Sequence, residues 1–117
     1  DLKSIIEHNE ASLKARIGYA LLETMRGNYP EAERIYAYLT NKLPKNAEVL
    51  EGRARMYLAR GMKGFAQRDI NQAFELLGGK APATLYRLRA ELNEGLGNRK
   101  AAAEDIQRAE ALERSQP

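Results

Sequence analysis

Apolar side chains recur along most of the chain at intervals of three to four residues, a spacing that places them on one face of an α-helix. Glycine, asparagine and proline interrupt this pattern at regular points, as they do in turns. The pattern predicts seven helices joined by short turns. They cover residues 1–8, 11–26, 30–43, 47–60, 64–77, 82–96 and 99–113.

The predicted helices form pairs, and a glycine precedes the second helix of each complete pair. Gly27 and Gly61 are 34 residues apart, and Gly61 and Gly97 are 36 residues apart. A small residue at a fixed helix position lets two helix axes approach closely where they cross. Alanine occupies such a position five residues after each glycine and another seven residues before it: Ala32, Ala66, Ala102, Ala20, Ala54 and Ala90.

This arrangement resembles the tetratricopeptide repeat family, whose unit is a helix-turn-helix of about 34 residues. The resemblance covers nearly the whole chain. The family signature has a small residue late in the first helix, then alanine, an aromatic or aliphatic residue and alanine along the second, and a closing proline. These positions hold Ala20, Ala32, Tyr36, Leu39 and Pro44 in the first unit, Ala54, Tyr57, Ala66, Ile70 and Ala73 in the second, and Ala90, Ala102, Ile106 and Ala109 in the third.

Some signature positions differ from the family pattern. Tyr86 takes the usual tryptophan position in the third unit, whereas Arg16 and Leu50 take it in the other two. Gly78 stands in place of the closing proline in the second unit. The resemblance nevertheless implies an all-α fold, a right-handed superhelix of antiparallel helix pairs known as an α-solenoid.

The same register divides the chain into three repeats and part of a fourth. Asp1, Leu2 and Ile5 fall where the second unit has Asp69, Ile70 and Ala73. We therefore expect an excised piece of a longer array. Its parts are the remnant of an upstream second helix (residues 1–10), three repeats (11–46, 47–80 and 81–113) and a frayed tail (114–117).

Charge varies in a coordinated way at two positions sixteen residues apart. Arg53 precedes Asp69, and Arg89 precedes Asp105, by this spacing. A lone buried charge is unfavourable, whereas a pair or an apolar couple is acceptable. We therefore predict ion pairs between the two helices of the second and third units. In the first unit the same positions predict a packing contact between Tyr19 and Ile35.

Composition argues against several classes of function. The chain has no cysteine, which excludes disulfides, thiol catalysis and thiolate metal sites. Its only histidine is His8, and no serine has a histidine and an acid in a catalytic pattern. We therefore predict no enzymatic activity, no cofactor and no metal. No apolar run approaches the roughly 20 residues of a membrane helix, so we expect no membrane insertion of this segment.

The charges do not favour nucleic acid as a partner. Nineteen lysines and arginines and sixteen aspartates and glutamates give a net charge of +3, and both signs alternate along the chain. No aromatic series alternates with basic residues to stack on bases. A protein or peptide is the partner that we expect, rather than nucleic acid or a small-molecule substrate.

The resemblance also implies where a partner would bind, because the first helices of such units line a concave groove. Four positions of each first helix face it in the family. These positions are Lys14, Ile17, Leu21 and Thr24 in the first unit, Glu48, Glu51, Arg55 and Leu58 in the second, and Thr84, Arg87, Glu91 and Glu94 in the third. Ile17 and Leu21 have a second interpretation, as residues that pack on an upstream helix.

Family members that grip the acidic C-terminal peptide of heat-shock chaperones carry a lysine-asparagine pair and a lysine-arginine pair at groove positions. Here those positions hold Ile17 with Leu21 and Arg87 with Glu91, which argues against that role.

The expected function is a non-enzymatic scaffold for protein docking. Alternatives are a segment of a bacterial envelope protein for outer-membrane assembly or polysaccharide export, and a regulatory domain fused to an enzyme or nucleic-acid-binding module. The envelope alternative implies a periplasmic location, and the sequence is also compatible with a cytoplasmic location.

Overall fold

A computed structural model describes residues 10–116, which form six α-helices and one short 3₁₀ turn. Each helix agrees with its predicted range within one residue at either end. The predicted first helix, residues 1–8, lies outside the described residues, as does the remnant 1–10 except for its last residue. The helices are α1 (Glu10–Met25), α2 (Tyr29–Lys42), α3 (Ala47–Ala59), α4 (Lys63–Leu77), α5 (Ala83–Gly95) and α6 (Arg99–Arg114), and the 3₁₀ turn is Gly78–Lys80.

The turn inside each pair is built in the same way three times. Gly27, Gly61 and Gly97 have φ angles of 78°, 76° and 83°, a left-handed conformation that side chains disfavour. The amide of the next residue donates to the carbonyl five residues earlier, at 2.8 Å in all three turns. This is a Schellman motif, which ends a helix and reverses the chain. The regular glycine spacing therefore has a direct structural cause.

The helices form two layers. Helices adjacent in sequence pack together, and the first helices also contact each other, α1 with α3 and α3 with α5. Within the described residues, the second helices α2, α4 and α6 make no such contacts with one another. The array therefore curves toward its first helices. Its radius of gyration of 14.7 Å exceeds the roughly 13 Å of a compact domain of this size.

Alanine lies where helices cross, as the spacing predicted. The six alanines at the two recurring positions are at most 3% exposed, so their small side chains allow the helix axes to approach. Larger apolar residues fill the space around them in two clusters. One cluster joins α1, α2 and α3, and includes Ile17, Tyr36 and Val49. The other joins α3, α4 and α5, and includes Ile70, Leu85 and Leu92.

Candidate docking surface

The face formed by the first helices contains a cavity of about 710 Å³. Residues of α1, α3 and α5 line it, together with the first residues of α2 and α4. Most of the lining is apolar, and the charged groups are Arg55, Lys63 and Glu91. The predicted groove residues that line this cavity are Leu21, Thr24, Arg55, Leu58 and Glu91.

Ion pairs at the predicted groove positions connect residues along this face. Lys14 Nζ on α1 lies 3.8 Å from Glu48 Oε2 on α3, and both side chains are more than half exposed. Within α3, Arg55 Nη2 donates to Glu51 Oε2 at 3.0 Å. The exposed pair of Lys14 and Glu48 contributes little to stability. The hydrogen bond to Glu51 holds the Arg55 side chain, which lines the cavity.

Two predicted groove residues present little surface to a partner. Ile17 is 5% exposed, because it packs in the apolar cluster with Ile35 of α2 and Val49 of α3. Thr24 is 8% exposed, and its hydroxyl donates to the Ala20 carbonyl at 2.8 Å. The burial of Ile17 thus arises within the array and needs no upstream helix. Leu21, its neighbour along α1, borders the cavity instead.

The predicted groove residues of the third unit are all exposed, and Glu91 alone among them lines the cavity. Arg87 is held by α6, since its Nε and Nη2 donate to the two carboxylate oxygens of Glu113 at 2.7 and 2.6 Å. These hydrogen bonds lower the pKa of the Glu113 carboxyl and raise the pKa of the Arg87 guanidinium. Thr84 and Glu94 do not border the cavity.

The two predicted ion pairs between paired helices are confirmed. Arg53 Nε and Nη2 donate to both carboxylate oxygens of Asp69 at 2.7 and 2.8 Å, and Asp69 is 2% exposed. Arg89 binds Asp105 through bonds of 2.8 to 3.2 Å, and Asp105 is 6% exposed. Neighbouring polar groups add one hydrogen bond to each pair. They link Arg53 to Thr40 Oγ1 and Asp105 to Asn93 Nδ2.

In the first unit, Tyr19 and Ile35 border the same cavity of about 400 Å³ between α1 and α2. Tyr19 is 47% exposed, whereas Ile35 is 8% exposed. Their packing contact stays a prediction. The second and third units have a paired arginine, Arg53 or Arg89, at the position of Tyr19. The first unit therefore differs from the other two in having an exposed tyrosine there.

Sequence reasoning missed five residues of the cavity: Met25, Tyr29, Ala59, Lys63 and Gly95. Tyr29 and Lys63 each lie two residues after a turn glycine, and each reaches the next first helix. The Tyr29 hydroxyl lies 3.4 Å from the Ala59 carbonyl, and Lys63 Nζ donates to the Gly95 carbonyl at 2.8 Å. Because Tyr29 and Lys63 occupy the same repeat position, two residues after the turn glycine, a comparison of the units could have predicted that both contact the next first helix.

The described residues contain no group of three metal-ligating side chains, and no described helix has the length and apolar character to cross a membrane. His8 lies outside this part of the chain.

The one buried side-chain oxygen without a hydrogen bond among residues 10–116 is the hydroxyl of Tyr36, and burial raises the pKa of that hydroxyl. It lies in the apolar cluster, next to Gly52.

Helix pairs, a repeat of about 34 residues and an all-α curved array define the class of protein as an α-solenoid. No protein-family model matches the chain. Human tetratricopeptide repeat protein 6 is 29% identical over 112 residues, which are 96% of this chain and 21% of that protein. A crystal structure of a tetratricopeptide repeat protein from Parabacteroides merdae is 39% identical with a TM-score of 0.79, over 94% of this chain and 42% of the other.

The chain is similar to tetratricopeptide repeat proteins in repeat spacing, fold and sequence. The chain spans about a fifth of the human relative and about two fifths of the solved protein.

Proposed function

We propose that this array is a non-enzymatic docking module, which binds a peptide segment of a partner protein along the face of its first helices. The units that we assign to it are residues 11–46, 47–80 and 81–113. The observation that carries the proposal is that all three first helices border one largely apolar cavity of about 710 Å³. A concave apolar surface with a few charged groups is typical of binding sites.

The chemistry of the cavity indicates the kind of peptide that would fit. Leu21, Met25 and Leu58 offer apolar surface, and Met25 is 83% exposed. Arg55 and Lys63 supply positive charge, and Glu91 supplies negative charge. An extended or helical peptide with a large apolar side chain and flanking residues of both charges would complement these groups.

The proposal predicts that reversing the charge of Arg55 weakens peptide binding. Peptides would first be selected from a random displayed library against the full chain, and their dissociation constants measured by calorimetry. Because Arg55 borders the cavity, we expect the Arg55→Glu variant to bind them at least about tenfold more weakly. The helical circular dichroism should be unchanged, since the Arg55 side chain is 40% exposed.

Arg68→Glu is the matched control, because Arg68 is an exposed arginine of α4 that does not border this cavity. This variant should keep its affinity for the selected peptides. Equal affinities of the Arg55→Glu and Arg68→Glu proteins would place the binding site elsewhere. Failure to select any peptide that binds tighter than about 0.1 mM would contradict the docking function itself.

A further inference from the structure

The second unit exposes apolar side chains at the start of α4, in the middle of the array. Phe65, in the first turn of α4, is 46% exposed, and Met62 in the preceding turn is partly exposed. Together with Gly64 and Arg68 they line a depression of about 410 Å³. None of these four residues borders the larger cavity formed by the first helices. An exposed aromatic ring next to an arginine is typical of protein-binding surfaces.

The other two units have polar or small residues where the second unit is apolar. At the position of Phe65, the first unit has Glu31 and the third has Ala101. At the position of Met62, both of these units have asparagine. The turn has the same backbone hydrogen bonds and left-handed glycine in all three units. The turn therefore does not require the apolar side chains that the second unit has there.

The same comparison shows that Arg68 lacks the acidic partner of its counterpart in the first unit. Arg34 occupies this position in α2, and its Nε and Nη2 donate to the two carboxylate oxygens of Glu31 at 3.2 and 2.5 Å. In α4, Phe65 takes the place of Glu31, and the Arg68 guanidinium lies 5.6 Å from its ring centroid. Within residues 10–116 Arg68 forms no ion pair. Its positive charge is thus available to a carboxylate from outside.

We propose that this depression is a second docking site, for a protein segment that has an acidic residue close to a large apolar side chain. The apolar side chain covers Met62 and Phe65. The carboxylate binds Arg68 in the way that Glu31 binds Arg34 in the first unit. Bidentate bonds between an arginine and a carboxylate are stronger than bonds between neutral groups, and they fix the relative orientation of the two partners.

Contacts within the second unit hold the Phe65 ring in place before a partner binds. The ring centroid lies 5.3 Å from that of Tyr57 on α3, with an angle of 31° between the ring planes. The Arg53 guanidinium lies 5.7 Å from the Tyr57 ring centroid, and Arg53 is fixed by its bidentate bonds to buried Asp69. An aromatic surface that is already ordered loses little conformational entropy on binding, which favours affinity.

The charge around the depression favours a carboxylate as the group that binds there. Arg68 is the one charged residue that lines it. No acidic residue lies in the first turn of α4, whereas α2 has Glu31 there, so the positive end of the α4 dipole is not offset. Nucleic acid is disfavoured, because its binding depends on several cations that each contact a phosphate.

Peptide selection tests this site separately from the cavity of the first helices. Short random peptides would be selected by display against the Arg55→Glu chain, in which we expect that cavity to bind weakly. The selected peptides should share an aspartate or glutamate close to a leucine, isoleucine or phenylalanine. Calorimetry with the wild-type chain then gives their dissociation constants.

Arg68→Glu should weaken the binding of these peptides at least about tenfold, because it places like charges at the contact. Replacing the acidic residue of the peptide with lysine should restore the affinity of the Arg68→Glu chain to within about threefold of the wild-type pair. Phe65→Ser should also weaken binding at least about tenfold, because it removes the ring that the apolar side chain covers.

The chain offers a matched control for each substitution. Arg34→Glu changes the arginine at the same repeat position of the first unit. Leu76→Ser removes another exposed apolar side chain of α4, which is 40% exposed and does not line the depression. Both variants should keep the wild-type affinity for the selected peptides.

Three results would overturn the proposal. The first is that no selected peptide binds tighter than about 0.1 mM, or that Arg68→Glu leaves the affinities unchanged. The second is tighter binding of a thymidine oligonucleotide than of any selected peptide. The third is self-association of the wild-type chain that Phe65→Ser abolishes, which would make a second copy the occupant. None of them bears on the cavity of the first helices, whose peptides are tested by Arg55→Glu.

Discussion

Replacing Arg53 with alanine is expected to lower the free energy of unfolding by about 2–4 kcal/mol, because it leaves the Asp69 carboxylate buried without its bidentate partner. Asp69 is 2% exposed, and Arg53 supplies both of its short hydrogen bonds. The pair also links α3 to α4 in the central unit, which contacts both neighbouring units. Urea denaturation followed by circular dichroism gives this free energy.

Arg34→Ala provides the control for the Arg53 variant. Arg34 also forms a short ion pair, with Glu31 at 2.5 Å, but its side chain is 70% exposed and the pair lies within one helix. Exposed pairs of this kind contribute little, so we expect no measurable change. Equal effects of the two substitutions would show that burial of Asp69 does not determine the contribution of the Arg53 pair.

Replacing Gly52 with valine is expected to lower the free energy of unfolding by about 2–3 kcal/mol, because there is no space for a side chain at this position. A Cβ atom there would lie 2.8 Å from the hydroxyl of Tyr36 and 2.9 Å from its Cε1 atom. Tyr36 is fully buried and has little room to move. Thermal and urea unfolding of the purified variant would measure the loss.

Gly18→Val tests whether the effect comes from this close contact or from the loss of a helical glycine. Gly18 occupies the same repeat position in α1, and a Cβ atom there would have no neighbour within 4 Å. We expect this variant to be as stable as the wild type or more stable by about 0.5 kcal/mol, since valine has the higher helix propensity.

Shortening Tyr36 should compensate for the added side chain at Gly52. The Tyr36→Leu/Gly52→Val double variant is expected to lose less stability than the sum of the two single losses, because leucine removes the ring that valine would meet. Additive losses would show that the two positions do not interact and that the valine is accommodated in another way.

Much of the local structure follows from the sequence. The spacing of apolar residues predicted the helix bounds, and Gly27, Gly61 and Gly97 predicted the turns. Both predictions were possible because these features depend on residues close together in the chain. The Arg53–Asp69 pair was also predictable, since its spacing recurs in the third unit. In a repeat protein, a residue pair that recurs at the same positions of two units can thus be predicted from the sequence of one chain.

The accessibility of the groove positions depended on neighbouring units. Ile17 and Arg87 occupy the same repeat position, yet Ile17 is buried between α2 and α3 whereas Arg87 is exposed and bound to Glu113. Ile106 likewise differs from Ile70, because α6 has no following first helix within residues 10–116. The participation of Lys63 in the cavity was missed for a related reason, since its contact with Gly95 crosses between units.

The amino-acid sequence by itself determined the helices, their turns, the resemblance to tetratricopeptide repeat proteins and the ion pairs inside the second and third units, because these depend on short-range periodicity and on repetition. The tertiary structure alone decided which positions are buried between units, which of them border the common cavity, and which end surfaces stay uncovered. Those properties depend on the helix that stacks against each position, and that helix lies about a repeat away in the chain.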